Sequence, residues 1–293
     1  MAISLKPVSE QVIVITGASS GIGLATAESA AEQGAKLVLA ARSGETLDEV
    51  AARLSQNGAE AMAVDADVAN RSDVEQIAVA AIERFGRIDT WVNNAGVSIY
   101  GRLDEVSDED SRRLFDTNFW GVVNGSLVAL KYLRANGGAI INLGSEVSDA
   151  VMPLQGMYTA SKHAVKGFTD ALRVEVEEID QAPVSITLIQ PTAVDTPYPE
   201  HARNYMAKQP KLPIDPIDPS EVAEAILKAA ASHARHVKVG AMSKINTTIA
   251  KVLPKVGDKM TAKMADKQKR DEAPRDPQGG LHEPRGGGRT HGR

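Results

Sequence analysis

"QVIVITGASSGIGLATAESAAEQG", Gln11 to Gly34, changes period halfway along. QVIVIT (11–16) is a continuous apolar run of strand length, suited to burial on both faces. GLATAESAAEQG (23–34) is a helix of small residues that stops at Gly34. Between them lies TGASSGIG, Thr16 to Gly23. Glycines at 17, 21 and 23 permit a tight turn and a close approach of backbone to a diphosphate. The start of the following helix adds N–H groups and a positive dipole end. A glycine loop alone could be a simple turn, but one placed between strand and helix points to nucleotide binding.

The alternation continues along the chain. KLVLAA (36–41) is a second strand, and GETLDEVAARLSQNG a helix with Gly58 as its stop. AEAMAVDAD holds a third strand. SDVEQIAVAAIERFG is a helix for which Ser72 and Glu75 suggest a capping box. RIDTWVNNAG is the fourth strand with its loop, and a long helix follows over about 108–135. GGAIINLGS, VSITLIQP and HVKVG supply strands five to seven, separated by helices over about 156–180 and from Pro219. Strands rich in Val, Ile and Leu, each followed by a helix, predict an α/β fold with a doubly wound parallel sheet of Rossmann type, covered on both faces. Residues 1–242 form this single domain. Ligands of such folds sit at the carboxyl ends of the strands.

Composition narrows the function classes. The chain has 293 residues, 43% hydrophobic and 24% charged, enough for a large core. Cysteine is absent, which excludes disulfides, zinc–thiolate sites and thiol nucleophiles; no metal site is expected. The net charge of −5 gives no general attraction to nucleic acid. No apolar run approaches a membrane span, and the first residues lack a signal-like core. These features fit a cytoplasmic protein.

Several of the strand-end motifs resemble the short-chain dehydrogenase/reductase family over about residues 10–240. They are the T-G-x-x-x-G-x-G loop at 16–23, DADV (65–68), NNAG (93–96), Asn118 in FDTNFWG, Ser145 in INLGSEVS, and YTASK with Tyr158 and Lys162. Asn118 to Ser145 is 27 residues, Ser145 to Tyr158 is 13, and Tyr158 to Lys162 is four. The resemblance implies an enzyme that interconverts a ketone or aldehyde and an alcohol by hydride transfer. Tyr158 would be the general acid/base. Lys162, one helical turn on, would lower its pKa. Ser145 would hold the substrate oxygen, in preference to Ser148. Asn118 would support a water joining Lys162 to solvent. Each has a plainer reading, as a turn hydroxyl, a buried amide or a snorkelling lysine.

The resemblance also places a nicotinamide cofactor against Gly17, Ser19, Ser20, Gly21, Ile22 and Gly23, with Asp67 and Val68 near adenine. Asn94, Ala95 and Gly96 follow, then Tyr158, Lys162, Pro191 and Thr196. An acidic residue after the second strand would favour NAD. Here that strand runs into AARS, so Arg42 with Ser43 favours a 2′-phosphate and hence NADP(H). The family's frequent basic residue inside the loop is Ser20 here, and its frequent Pro-Gly after the sixth strand is Pro191-Thr192. A protein that senses NADP(H) with little catalysis is the alternative.

Residues 191–219 read as the substrate loop. Met152, Leu154, Met157 and Tyr198 are candidate pocket residues, which favours an apolar carbonyl or alcohol. Eleven Lys/Arg against six Asp/Glu follow from Lys251 onward. Within 243–270, Ile245, Ile249, Val252, Leu253, Val256, Met260 and Met264 recur at helical intervals, interrupted at Pro254. This basic amphipathic extension could dock on its own domain, on a second subunit of a homodimer or homotetramer, or on an anionic membrane surface. It could also stay solvated. Residues 271–293, rich in Gly, Pro and Arg, lack apolar content and read as a disordered, dispensable tail.

Overall fold

A computed structural model describes residues 3–292. Met1, Ala2, Arg293 and the side chains of residues 249–251 and 254 lie outside the described residues, and Ile249 with them. Seven parallel strands make the central sheet: β1 (Val12–Thr16), β2 (Lys36–Ala41), β3 (Ala61–Asp65), β4 (Thr90–Asn93), β5 (Gly138–Leu143), β6 (Val184–Pro191) and β7 (His236–Val239). Their order is β3-β2-β1-β4-β5-β6-β7. The order reverses between β1 and β4, where two neighbouring strand ends carry their loops in opposite directions and open a crevice.

Alternation along β1 explains why both faces are covered. Ile13 and Ile15 point to one apolar cluster, and Val12 and Val14 to the other. On the first face lie α1 (Gly21–Glu32), α2 (Gly44–Gln56) and the helix Pro219–Ala231, through Leu24, Leu47, Val222 and Ile226. On the second lie α3 (Arg71–Phe85), the long helix and α6, described below, through Val74, Ile77, Val128, Leu133 and Leu172. Each such side chain contributes about 1.5–3 kcal/mol by leaving water.

The long helix is α4 (Asp108–Phe115), a π-turn (Asp116–Trp120) and α5 (Gly121–Leu133). α6 (Gly156–Arg173) also ends in a π-turn, Val174–Ile179. The helix from Pro219, here α7 (Pro219–Ala231), has a capping box from Asp218 and Glu221. α3 differs from the sequence expectation. It starts at Arg71 with Asn70 at the cap position, so Ser72 is inside the helix and Glu75 pairs with Arg71 and Lys131 instead. The Asp73 carboxylate, which bonds the Asp67 N–H at 3.1 Å, fixes the earlier start.

The extension contains α8 (Ala241–Val252) and α9 (Pro254–Ala262), broken at Leu253. Its docked face is polar. Ser243, fully buried, donates to the Gln190 carbonyl at 2.9 Å, and Asn246 donates to Glu146 at 3.0 Å. Ile245, Val252, Leu253, Val256 and Met260 face solvent in the single chain. Among the described residues, these polar contacts rather than the exposed apolar side chains seat the extension on its own chain. Residues 271–292 depart further from the sequence reading: they lie across the molecule, with Leu281 completely buried beside Ile99 and Leu114. The composition argument weighs apolar side chains, whereas this segment is held mainly through its backbone.

Beneath the strand ends, Asn93 and Asn142 form a buried polar knot. Asn93 Nδ2 donates to Asn142 Oδ1 at 2.8 Å and to Ser126 Oγ at 3.1 Å, and Asn142 Nδ2 donates to Thr169 Oγ1 at 3.0 Å. The knot fastens α5 and α6 to β4 and β5. Asn142→Leu keeps the number of side-chain heavy atoms but removes its bonds with Asn93, Thr169 and Ser126, whose Oγ donates to Asn142 Oδ1 at 3.3 Å. It should cost about 3 kcal/mol and lower the thermal midpoint by roughly 5–10 °C, read by calorimetry.

Candidate active site

The glycine loop has the geometry that its spacing requires. Gly17 sits at φ +67°, and a Cβ at Gly23 would fall 2.2 Å from the Gly17 carbonyl oxygen. The loop is braced from β4. Asn94 Nδ2 donates to the carbonyls of Thr16 at 2.9 Å and Gly17 at 3.1 Å. The Thr16 hydroxyl accepts the N–H groups of Asn94 and Ala95, both at 3.1 Å. Thr16 is a positioning residue absent from the sequence list; its signal was the threonine opening the loop. The Asn94 side chain is spent on this brace.

A cavity of about 300 Å³ runs from this loop to Tyr158. Gly17, Ser19, Ser20, Gly21 and Ile22 line one end, with Arg42, Ser43, Asp67 and Val68 beyond them. Asn94, Ala95, Gly96, Ser145, Tyr158, Lys162, Pro191 and Thr196 line the rest. Of the residues named from sequence, Gly23 and Asn118 stand behind the wall. Asp67 faces the cavity, but its carboxylate pairs with Arg113 at 2.5 Å and accepts the Ala69 N–H at 3.0 Å.

At the other end, Lys162 is buried, and its Nζ donates to the Leu143 carbonyl at 2.7 Å. It lies 5.6 Å from the centre of the Tyr158 ring. Burial pushes the lysine down to about 8. Burial pushes the Tyr158 phenol up to about 12, against hydrogen bonds from Tyr198 and Ser145 that favour the phenolate; Glu146 adds to the rise. Desolvation is the largest influence on the phenol in the free cleft, whereas the lowering expected from the sequence draws on Lys162 together with the positive charge of an oxidised nicotinamide.

Ser145 begins a short turn, Glu146–Ser148, with its hydroxyl accepting from Val147 N–H at 3.3 Å. Ser148 accepts the Ser145 N–H at 3.2 Å, so Ser145 faces the cavity and Ser148 supports its backbone. Asn118 lies in the π-turn, fully buried. Its Oδ1 accepts the Val97 N–H at 2.8 Å, and its Nδ2 donates to the Val97 carbonyl at 2.9 Å and Ser161 Oγ at 3.2 Å. Both Nδ2 protons are therefore held by protein groups, while Oδ1 carries one of the two bonds it can accept.

Met152 and Tyr198 line the cavity as anticipated; Leu154 and Met157 do not. Met157 packs with Ile99 and Leu114, and the Leu154 carbonyl accepts the Gly101 N–H at 2.8 Å. The Tyr198 ring meets Tyr158 edge-on at 5.5 Å, and its hydroxyl bonds Ser98 and Gln155 at 2.6 and 3.0 Å. Glu146 was missed. It is buried in the wall, its Oε2 accepting from Thr192 and Asn246, and burial raises its pKa. A charged residue directly after Ser145 was the available signal.

A family model for short chain dehydrogenases matches residues 11–206. An uncharacterized oxidoreductase, YxnA of Bacillus subtilis, is 46% identical over 94% of this chain and 78% of its own. The 11-beta-hydroxysteroid dehydrogenase A of Sesamum indicum is 41% identical over 65% of this chain and 54% of its own. Among solved structures, a short chain dehydrogenase/reductase from Burkholderia phymatum in complex with NAD superposes with a TM-score of 0.75 at 29% identity, covering 87% of this chain and 96% of that one. An alcohol dehydrogenase from Thermococcus sibiricus complexed with 5-hydroxy-NADP gives 0.69 at 30% identity, over 78% and 95%.

Because the Gly23 position touches backbone, Gly23→Ala has no cheap relaxation. Thermal denaturation should show a loss of about 2 kcal/mol or more. An unchanged midpoint would mean that the loop yields freely.

Proposed function

The chain belongs to the short-chain dehydrogenase/reductase family, and from that premise we propose an NADP(H)-dependent oxidoreductase that interconverts a small ketone or aldehyde and its alcohol. The observation that carries this reading is the convergence of Ser145, Tyr158 and Lys162 at one end of a cavity whose other end is a glycine cradle. The residues fit a nicotinamide dinucleotide. Gly17 and Gly21 bring bare backbone to the cavity wall, and Ser20 opens α1 with no side-chain cap bond, leaving its hydroxyl available to a diphosphate. Arg42 lines the cavity just after β2 with no carboxylate in that turn, which supports NADP(H) over NAD(H). When bound, the nucleotide supplies or accepts the hydride.

The chain's own residues handle the proton and the geometry. Ser145 donates a hydrogen bond to the substrate oxygen. Tyr158 gives its proton to that oxygen in reduction and takes one in oxidation. Lys162, fixed by the Leu143 carbonyl, holds positive charge beside the phenol as the phenolate forms. Asn118 acts through position, holding the backbone of Val97 to α6. Met152 and Tyr198 beside Tyr158 favour a substrate with apolar bulk. No helix among the described residues is long and apolar enough to cross a membrane.

Tyr158→Phe should reduce turnover by about 10²–10⁴-fold or more while leaving nucleotide affinity nearly intact, in a nicotinamide absorbance assay with a carbonyl panel. Substantial activity would remove Tyr158 from the mechanism.

A pH dependence follows from the two shifts. Tyr158 keeps its proton up to about pH 12, but Lys162 loses its charge through about pH 8. Reduction needs both protons, so kcat/KM should be level below about pH 8 and fall above it. A level profile to pH 10 would show that the ammonium charge is not required.

Arg42→Asp should turn preference from NADP(H) toward NAD(H), replacing attraction of a 2′-phosphate with repulsion. An unchanged ratio of dissociation constants would make Arg42 a bystander.

A further inference from the structure

The C-terminal segment crosses the mouth of the cofactor cleft and is fastened on both banks. On the far bank, Arg42 directs Nη1 to the carbonyls of Leu281 and His282, both at 3.1 Å, and Nη2 to Gly280 at 2.5 Å. Arg113 adds a bond to the Leu281 carbonyl at 3.3 Å, and His282 pairs with Asp110 at 2.7 Å. The Leu281 side chain is a completely buried anchor. On the near bank, Gly288 N–H donates to the Ser19 carbonyl at 2.8 Å, and Gly21 N–H donates to the Arg289 carbonyl at 3.0 Å. The end is tied to the substrate loop, where Gly292 N–H meets Asp195 and Arg289 meets Glu200 at 2.6 Å.

Two facts give this crossing a function. Gly280, Pro284 and Arg285 line the same cavity as the glycine loop, so the segment is its roof. Its fastenings also use groups that a dinucleotide would need: the first N–H of α1 and the guanidinium proposed above for a 2′-phosphate. We propose that residues 279–292 form a strap that gates exchange of the nicotinamide nucleotide, with Arg42 as a latch shared between the strap carbonyls and the nucleotide's phosphate. In the free protein the strap must leave Arg42 and the Gly21 N–H for the nucleotide to enter; over the bound nucleotide it closes again through Leu281 and the Ser19 carbonyl, so departure also requires it to open. The proposal rests on the oxidoreductase reading above.

Two full-length variants loosen opposite banks. Leu281→Asp removes the anchor. Gly287→Val places a side chain where a Cβ already falls 2.5 Å from the Ser19 carbonyl oxygen. Trypsin cleavage after Arg285 and Arg289 reports whether the strap is seated, and should be faster in both variants than in the natural chain. Stopped-flow fluorescence with NADPH, followed by displacement with excess NADP⁺, gives the two rate constants. Both association and dissociation should accelerate about tenfold or more in each variant. Unchanged rates in an unseated variant overturn the gate. So does faster release with unaltered association, which would make the strap a wall. So does tryptic cleavage in the natural chain as fast as in the variants. If neither the natural chain nor the variants bind NADPH or NADH at all, the oxidoreductase reading itself fails and the gate falls with it.

Discussion

The Asn94 amide holds together the two loops from which the cleft is built, by donating to the carbonyls of Thr16 and Gly17. Loop backbone has no ladder to satisfy it, so its buried polar groups must find side chains. From this brace a single path of hydrogen bonds leads across the molecule. Asn94 leads through Ala95 and Gly96 to Val97, whose N–H and carbonyl both bond Asn118. Asn118 reaches the Ser161 hydroxyl, and Ser161 donates to the Tyr158 carbonyl at 2.7 Å. The glycine cradle and the phenol are thereby set relative to one another through short polar links on rigid elements. The buried knot of Asn93 and Asn142 lies directly under this path.

The charges of the cleft follow from burial more than from proximity. Lys162, Tyr158 and Glu146 all shift toward their neutral forms, the lysine down and the two acids up. Desolvation is the largest cause in each case, because a closed cleft offers little water to any ion. Such a site holds its proton on the phenol until a charged ligand changes the balance. The hydrogen bonds from Ser145 and Tyr198 to Tyr158 already favour the phenolate and await that change.

Much of this was legible in the sequence, for definite reasons. The parallel sheet was readable because both faces of β1, β2 and β6 are buried, leaving unbroken apolar runs. The site was readable because the fold puts function at strand ends, where Gly17 and Ser145 stand, and because Tyr158 and Lys162 are spaced one turn apart on α6. The start of α3 was not, since the choice between Asn70 and Ser72 depends on Asp73 meeting the Asp67 backbone. The bracing of Val97 by the Asn118 amide was hidden because its partners there are backbone groups 21 residues away. The extension misled for a related reason. Its helical stripe is apolar, yet Ser243 and Asn246 attach it, and hydroxyl or amide contacts leave no period to detect. Residues 271–292 are ordered through their own carbonyls and N–H groups, which every sequence possesses alike.

The segment over the cleft is made after everything that it covers. Chains fold from the N-terminal side as they are synthesised, at roughly 5–20 residues per second. Every strand of the sheet and the helix bearing Tyr158 leave the ribosome before Gly280 does. Leu281 cannot fill its place beside Ile99 and Leu114 until both of them, and all that lies between, have been synthesised. Each newborn molecule therefore passes through an interval in which the sheet and its cleft can assemble but stand uncovered, until the segment from Gly280 onward emerges and completes the roof.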